Sequence, residues 1–145
     1  MNPVFVDTSG WACYFVRTEK YHSAAQQFIF QFQNRGTQVV TTNYVLIELA
    51  ALLNSPLQTP HDRKVQIIEA IENTAWVEVV HVDHALDDQA WALFKSRHDK
   101  RWSLVDCASF VVMKALRISD ALTADRHFEQ AGFKRLLGSE AVIRP

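Results

Sequence analysis

Asp7, Glu48, Asp106 and Asp125 are the residues of this chain whose type and setting could do chemistry. Asp7 ends the unbroken apolar run Val4-Phe5-Val6, and Asp125 follows the shorter run Ala121-Leu122-Thr123. Glu48 lies among Leu46, Ile47 and Leu49 on a strongly apolar segment, where an unpaired carboxylate would be costly. Asp106 closes Ser103-Leu104-Val105-Asp106 just ahead of another apolar run. Carboxylates that approach one another raise each other's pKa, and a divalent cation removes that cost. Hard oxygen ligands with no His or Cys beside them favour Mg²⁺ or Mn²⁺ over zinc. Such an ion suits a phosphate substrate, because it activates a water and neutralises charge on the attacked group without any side-chain nucleophile. Each acid also has an ordinary reading. Asp7 and Asp125 can start helices, and Asp106 can be the acid of an S-x-x-D capping box.

The elements that would position these acids alternate along the chain. The first strand, Val4–Val6, is apolar on both alternating faces, as in a parallel sheet covered on both sides. Asp7 then falls at its carboxyl end, the edge where open α/β sheets place ligands. Thr8 and Ser9 are expected to cap a helix over 11–16. A second helix runs over 19–34 and stops at Gly36, and Val39-Val40-Thr41 is a strand. Asn43 is expected to cap a helix over 44–54 that carries Glu48. After a loop with two prolines come a helix over 62–73, a strand over 76–82, and a helix over 84–96 capped by Asp83. The capping box precedes the helical run 110–116. A strand at 121–123, a helical turn at 128–131 and a strand at 133–137 complete the pattern. Strands alternating with helices imply βαβ units, hence an α/β fold with a central parallel sheet.

With 145 residues and no repeat, low-complexity tract or linker, the chain is expected to be one domain over 1–145. Hydrophobic residues make up 48% and charged residues 21%, which excludes disorder. No apolar run approaches the ~20 residues that span a bilayer, and no secretory leader is visible, so a cytoplasmic protein is expected. Cys13 and Cys107 lie in apolar segments and read as buried thiols. A formal net charge of −1 lacks the basic excess of a typical nucleic-acid binder. It leaves room for a nucleic-acid enzyme whose metal-binding acids are neutralised by the ions they hold.

Four stretches together resemble the PIN domain family of ribonucleases. Val4-Phe5-Val6-Asp7-Thr8-Ser9 is similar to its opening motif and Tyr44-Val45-Leu46-Ile47-Glu48 to its second. Trp102-Ser103-Leu104-Val105-Asp106-Cys107 and Ala121-Leu122-Thr123-Ala124-Asp125-Arg126-His127-Phe128 are similar to its third and fourth, in the family's order. The resemblance implies a three-layer sandwich, a parallel sheet with helices on both faces and the acids in a cleft at its carboxyl edge. It implies metal-dependent hydrolysis of RNA phosphodiesters by an activated water. Asp7 and Asp106 would be direct ligands of Mg²⁺ or Mn²⁺, Glu48 a ligand directly or through water, and Asp125 the support of a second ion or its water. Thr8, Ser9 and Thr123 would hydrogen-bond around them. Length and the lack of extra domains resemble the VapC-type toxins, which implies a small antitoxin partner and a homodimer.

Lys95, Arg97, Lys100 and Arg101 precede Asp106 and could hold an RNA backbone; a solvated helix end and loop is the ordinary alternative. Arg126, beside Asp125, has a better claim to a phosphate, whereas Asp99 is expected at the surface. His81 and His84 straddle a strand end and do not make a zinc site. His127 reads as part of a helix start, and the four tryptophans as core, with stacking on RNA bases the alternative for Trp11 or Trp102. Two other functions compete. One is a catalytically silent PIN-like module that binds RNA or protein, which the intact set of acids disfavours. The other is a phosphotransfer receiver or haloacid-type phosphatase, which Asp-Thr-Ser after the first strand does not fit.

Overall fold

A computed structural model describes residues 2–138 of the chain. Five parallel strands form one sheet in the order β3-β2-β1-β4-β5. They are β1 (Val4–Val6), β2 (Val39–Thr42), β3 (Val77–Val80), β4 (Asp120–Leu122) and β5 (Lys134–Arg135). β1 is central: Val4 and Phe5 pair with Val39 and Val40 on one side, and Val4, Phe5 and Val6 pair with Asp120, Ala121 and Leu122 on the other. The three residues of β1 are buried, as their two-faced apolar pattern requires.

Parallel pairing needs a crossover between successive strands, and helices supply it. α1 (Thr8–Phe15) and α2 (His22–Arg35) link β1 to β2, and α3 (Asn43–Asn54) and α4 (His61–Glu72) link β2 to β3. α5 (His84–Ser96) and α6 (Leu104–Ala115) make the long return from β3 across to β4, and α7 (His127–Gln130) leads to β5. Right-handed connections put the outgoing and returning helices on opposite faces, giving the expected three layers. The chain leaves β1 towards β2 and comes back on its other side at β4. The crevice outside the carboxyl ends of β1 and β4 is therefore the switch point where such sheets bind ligands.

Side chains from every layer make the core, with Phe5, Trp11, Ile29, Leu49, Ile67, Met113, Leu122 and Phe128 among its largest fully buried members. Trp11 Nε1–H donates to Thr41 Oγ1 (3.2 Å), whose hydroxyl donates to the Val6 carbonyl (2.9 Å), so the polar atoms beneath the sheet edge are paired. Gly10 lets α1 lie against the end of β4. A Cβ there would stand 2.1 Å from the Leu122 carbonyl oxygen, a distance no side chain tolerates.

Several local expectations are corrected. α1 starts at Thr8, so Thr8 and Ser9 are inside the helix and cap nothing; their hydroxyls are taken by other elements. Thr42, not Asn43, caps α3 by accepting from Val45 N–H, while Asn43 accepts from Val82 N–H and ties α3 to the strand edge. α6 begins directly at the capping box, a full turn and more before 110, because Ser103 satisfies its first free N–H groups. Gly36 stops α2 in the left-handed region as expected (φ 65°), and Asp83 caps α5 through Leu86 N–H. Cys13 and Cys107 are buried and unpaired. Trp11 and Trp102 are core residues, but Trp91 is 40% exposed and packs edge-on against the equally exposed Phe94. His84 is solvent-facing beside Asp88.

Candidate active site

Asp7 stands at the N-cap position of α1, in extended conformation, with its backbone N–H donating to the Leu122 carbonyl (3.2 Å). That bond welds the end of β1 to the end of β4. Its carboxylate caps nothing. It is 3% exposed, Oδ2 accepts from the Thr123 hydroxyl (3.0 Å), and Oδ1 is buried without a partner. Burial, with Asp106 and Glu48 close by, pushes its pKa up to about 8 despite help from the Thr8 N–H and the Thr123 hydroxyl.

Thr123 is the hub of a short relay. Its hydroxyl hydrogen goes to Asp7, so at the Thr123 oxygen Ser9 Oγ–H (3.0 Å) and Asp125 N–H (3.0 Å) are the donors. Ser9 Oγ in turn accepts from Ala124 N–H (2.9 Å). The three hydroxyl residues expected around the acids thus lie there, Thr8 included, whose hydroxyl donates to Glu48 Oε1 at 2.5 Å. Glu48 is half-buried on α3. Desolvation raises its pKa, with contributions from Asp106 and Asp125.

Asp106 carries both of its possible roles at once. Its Oδ2 accepts from Ser103 N–H (3.0 Å) while its own N–H donates to Ser103 Oγ (3.0 Å), completing the capping box of α6. The same 6%-exposed carboxylate lies within electrostatic reach of Asp7, Glu48 and Asp125. Burial raises its pKa, against the Ser103 N–H and the neighbouring His127. Asp125 accepts from His127 N–H through Oδ1 (2.9 Å), a turn that opens α7. The fold therefore brings all four acids together from β1, α3, α6 and the segment after β4.

His127 is the residue whose part in the site the sequence understated. It does begin α7, yet its Nδ1 also lies 2.9 Å from Asp106 Oδ2 and 3.4 Å from Asp125 Oδ1. Asp106, Asp125 and His127 each offer a ligand atom within 4.8 Å of the others. The D-x-H spacing at 125–127 was the available signal, masked by its fit to a helix start. Arg135 was also missed: it donates to Glu129 Oε1 (2.9 Å) and to the Ala124 carbonyl (3.3 Å), bracing the segment that carries Asp125.

Of the expected phosphate contacts, Arg101 and Arg126 are exposed, whereas Lys100 leans towards Asp99 at 3.9 Å. Asp99 is on the surface, held by Arg97.

The Asp7 Oδ1 left without a donor, in a pocket of carboxylates that raise one another's pKa, fits a hard divalent cation. The PIN domain profile matches residues 4–134 of the chain. The 23S rRNA-specific endonuclease VapC20 of Mycobacterium tuberculosis, in strains CDC 1551 / Oshkosh and ATCC 25618 / H37Rv, is 37% identical over 131 residues, covering 90% of this chain and 95% of the relative. The crystal structure of Mycobacterium tuberculosis VapC20, described as a sarcin-ricin loop cleaving toxin, aligns with a TM-score of 0.78 and 32% identity over 90% of this chain and 95% of that one. Sheet order, acid placement and these similarities agree: the chain belongs to the PIN domain family and is VapC-like in sequence and in fold.

Proposed function

We propose that this chain is a metal-dependent endoribonuclease, the toxin of a toxin–antitoxin pair acting in the cytoplasm. The observation that carries this reading is the buried, half-unpartnered Asp7 facing three further acids at the carboxyl edge of the sheet. Asp7, Glu48, Asp106 and Asp125 would hold Mg²⁺ or Mn²⁺. When bound, the ion supplies positive charge at the scissile phosphate and a water acidic enough to attack it.

The remaining work belongs to the protein's own groups. The Thr123–Ser9 relay fixes the Asp7 carboxylate in one orientation, and Thr8 does the same for Glu48. His127, donating its Nδ1 proton towards Asp106, favours the ionised form of that carboxylate against its burial and fixes its orientation. Arg101 and Arg126, with Lys100 as a weaker contributor, take the flanking phosphates. The 23S rRNA specificity of the relative VapC20 makes 23S rRNA the first substrate to offer. Exposed Phe30, Ile47, Trp91 and Phe94 support cover by partners, a small antitoxin and a second copy of the chain.

The test is cleavage of a 23S rRNA fragment with Mg²⁺ or Mn²⁺, beside Asp7→Asn and with Mn²⁺ binding followed by calorimetry. Wild type should cut only with the ion present, and the variant should lose at least about 100-fold in rate, the scale on which such charge-stabilising groups act. Equal cutting by the variant, or a wild type that binds no Mn²⁺, would defeat the reading.

A further inference from the structure

A cavity of about 400 Å³ lies between α5, α6 and α7, and none of the four acids lines it. Its floor is aromatic. Trp102 meets Phe110 edge-on with ring centroids 5.0 Å apart, and Phe133 lies 5.7 Å from Phe110. The Arg97 guanidinium is stationed over the Trp102 ring, 4.8 Å from its centroid. Asp99 fixes it there through two contacts of 3.0 Å, from Nε and Nη2. The Trp102 indole N–H donates to Gln130 Oε1 (3.0 Å), which leaves the Gln130 amide N–H groups as donors at the rim. An exposed Lys114 stands on the α6 wall.

This finish goes beyond what a gap in packing would show. A guanidinium tethered over an indole, with a carboxamide donor beside it, matches a flat heteroaromatic ring that carries acceptors on its edge. The volume falls in the range of small-molecule sites. Two covalent links tie the cavity to the acids. Trp102 immediately precedes Ser103, whose N–H holds Asp106, and Gln130 ends the short helix opened by His127. Charge points the same way: from Lys95 to Arg101 there are Lys95, Arg97, Lys100 and Arg101 against the one carboxylate of Asp99. A polyanionic strand crossing to the acids would run along this segment.

We propose that the cavity is a nucleobase subsite, which takes one base unstacked from a single-stranded stretch of the RNA next to the scissile phosphate. The base lies on the plane of Arg97 over Trp102, and Gln130 reads its edge. The inference rests on the nuclease reading and extends it to how a cleavage position is chosen. An apolar side chain from a protein partner would use the aromatic floor but not the tethered guanidinium or the carboxamide.

The probes are the four nucleoside 5′-monophosphates, added to the full chain while the Trp102 indole N–H resonance is followed by NMR. At least one of them should shift that resonance. Ala92→Trp, which fills the cavity from an exposed position on α5, should abolish the shift, and so should Arg97→Ala at the surface. With RNA, Ala92→Trp should raise KM about tenfold and leave kcat within about twofold, the scale of one lost base stack. No shift with any nucleotide, or a shift that persists in Ala92→Trp, overturns the proposal and leaves the cavity to a protein partner. The two readings fail separately. A nucleotide-dependent Trp102 shift with no RNA cleavage sinks the nuclease, whereas metal-dependent cleavage with an unmoved Trp102 sinks the subsite alone.

Discussion

Asp7 is held protonated by the same burial that makes it useful. Its carboxyl titrates near 8 in the folded chain against 3.8 when exposed. Between those values the folded state binds a proton that the unfolded state has released, so metal-free stability is full below about pH 4 and falls as pH rises towards 8. The slope is at most about 1.4 kcal/mol per pH unit from this one group. Glu48 and Asp106, also raised by burial, act in the same direction. A divalent ion must displace the proton, so affinity for Mn²⁺ should climb over the same window and level off above it. Thermal melts and calorimetry from pH 5 to 9 check both trends. Asp7→Asn should flatten the stability slope, and an unchanged slope would mean that Asp7 is ionised throughout.

At the scale of elements, the contact between α1 and β4 is the most exacting. The Leu122 carbonyl sits where a Cβ of residue 10 would have to go, and it also accepts the Asp7 N–H. Gly10→Ala should cost about 2–3 kcal/mol by forcing the two elements apart. It should weaken Mn²⁺ binding as well, because the displaced backbone carries Asp7 and Thr123; a melt read beside a metal titration separates the two losses. The elements themselves were largely legible in the sequence, since apolar periodicity reports burial directly. Which side chain caps which helix was not. Thr8, Ser9 and Asn43 all look like caps locally, and each is claimed instead by a residue at least 39 positions away. The acids were legible because Glu48 on an apolar helix has no cheap local explanation. His127 was not, because a helix start explains it fully until Asp106, 21 residues earlier, is seen beside it.

For the molecule as a whole, the charge balance near zero had argued neither for nor against RNA. The structure sorts part of those charges: the acids act on one another at the sheet edge, while Arg101 and Arg126 are exposed. Binding of single-stranded RNA should accordingly depend on salt only moderately. Replacing Arg101 and Arg126 together by alanine, in the Asp7→Asn background, should reduce the slope of log affinity against log salt by about 1.4, or about 0.7 per lost phosphate contact. Fluorescence anisotropy over a salt series measures it, and an unchanged slope would place the strand elsewhere.

The Ser9–Thr123 bond spans 114 positions, and it ties the ends of β1 and β4, neighbours at the centre of the sheet. A chain still being translated therefore cannot assemble the acid cluster until its final quarter has emerged and inserted β4 beside β1. The order of synthesis thus leaves the emerging chain without that cluster for as long as β4 is still inside the exit tunnel.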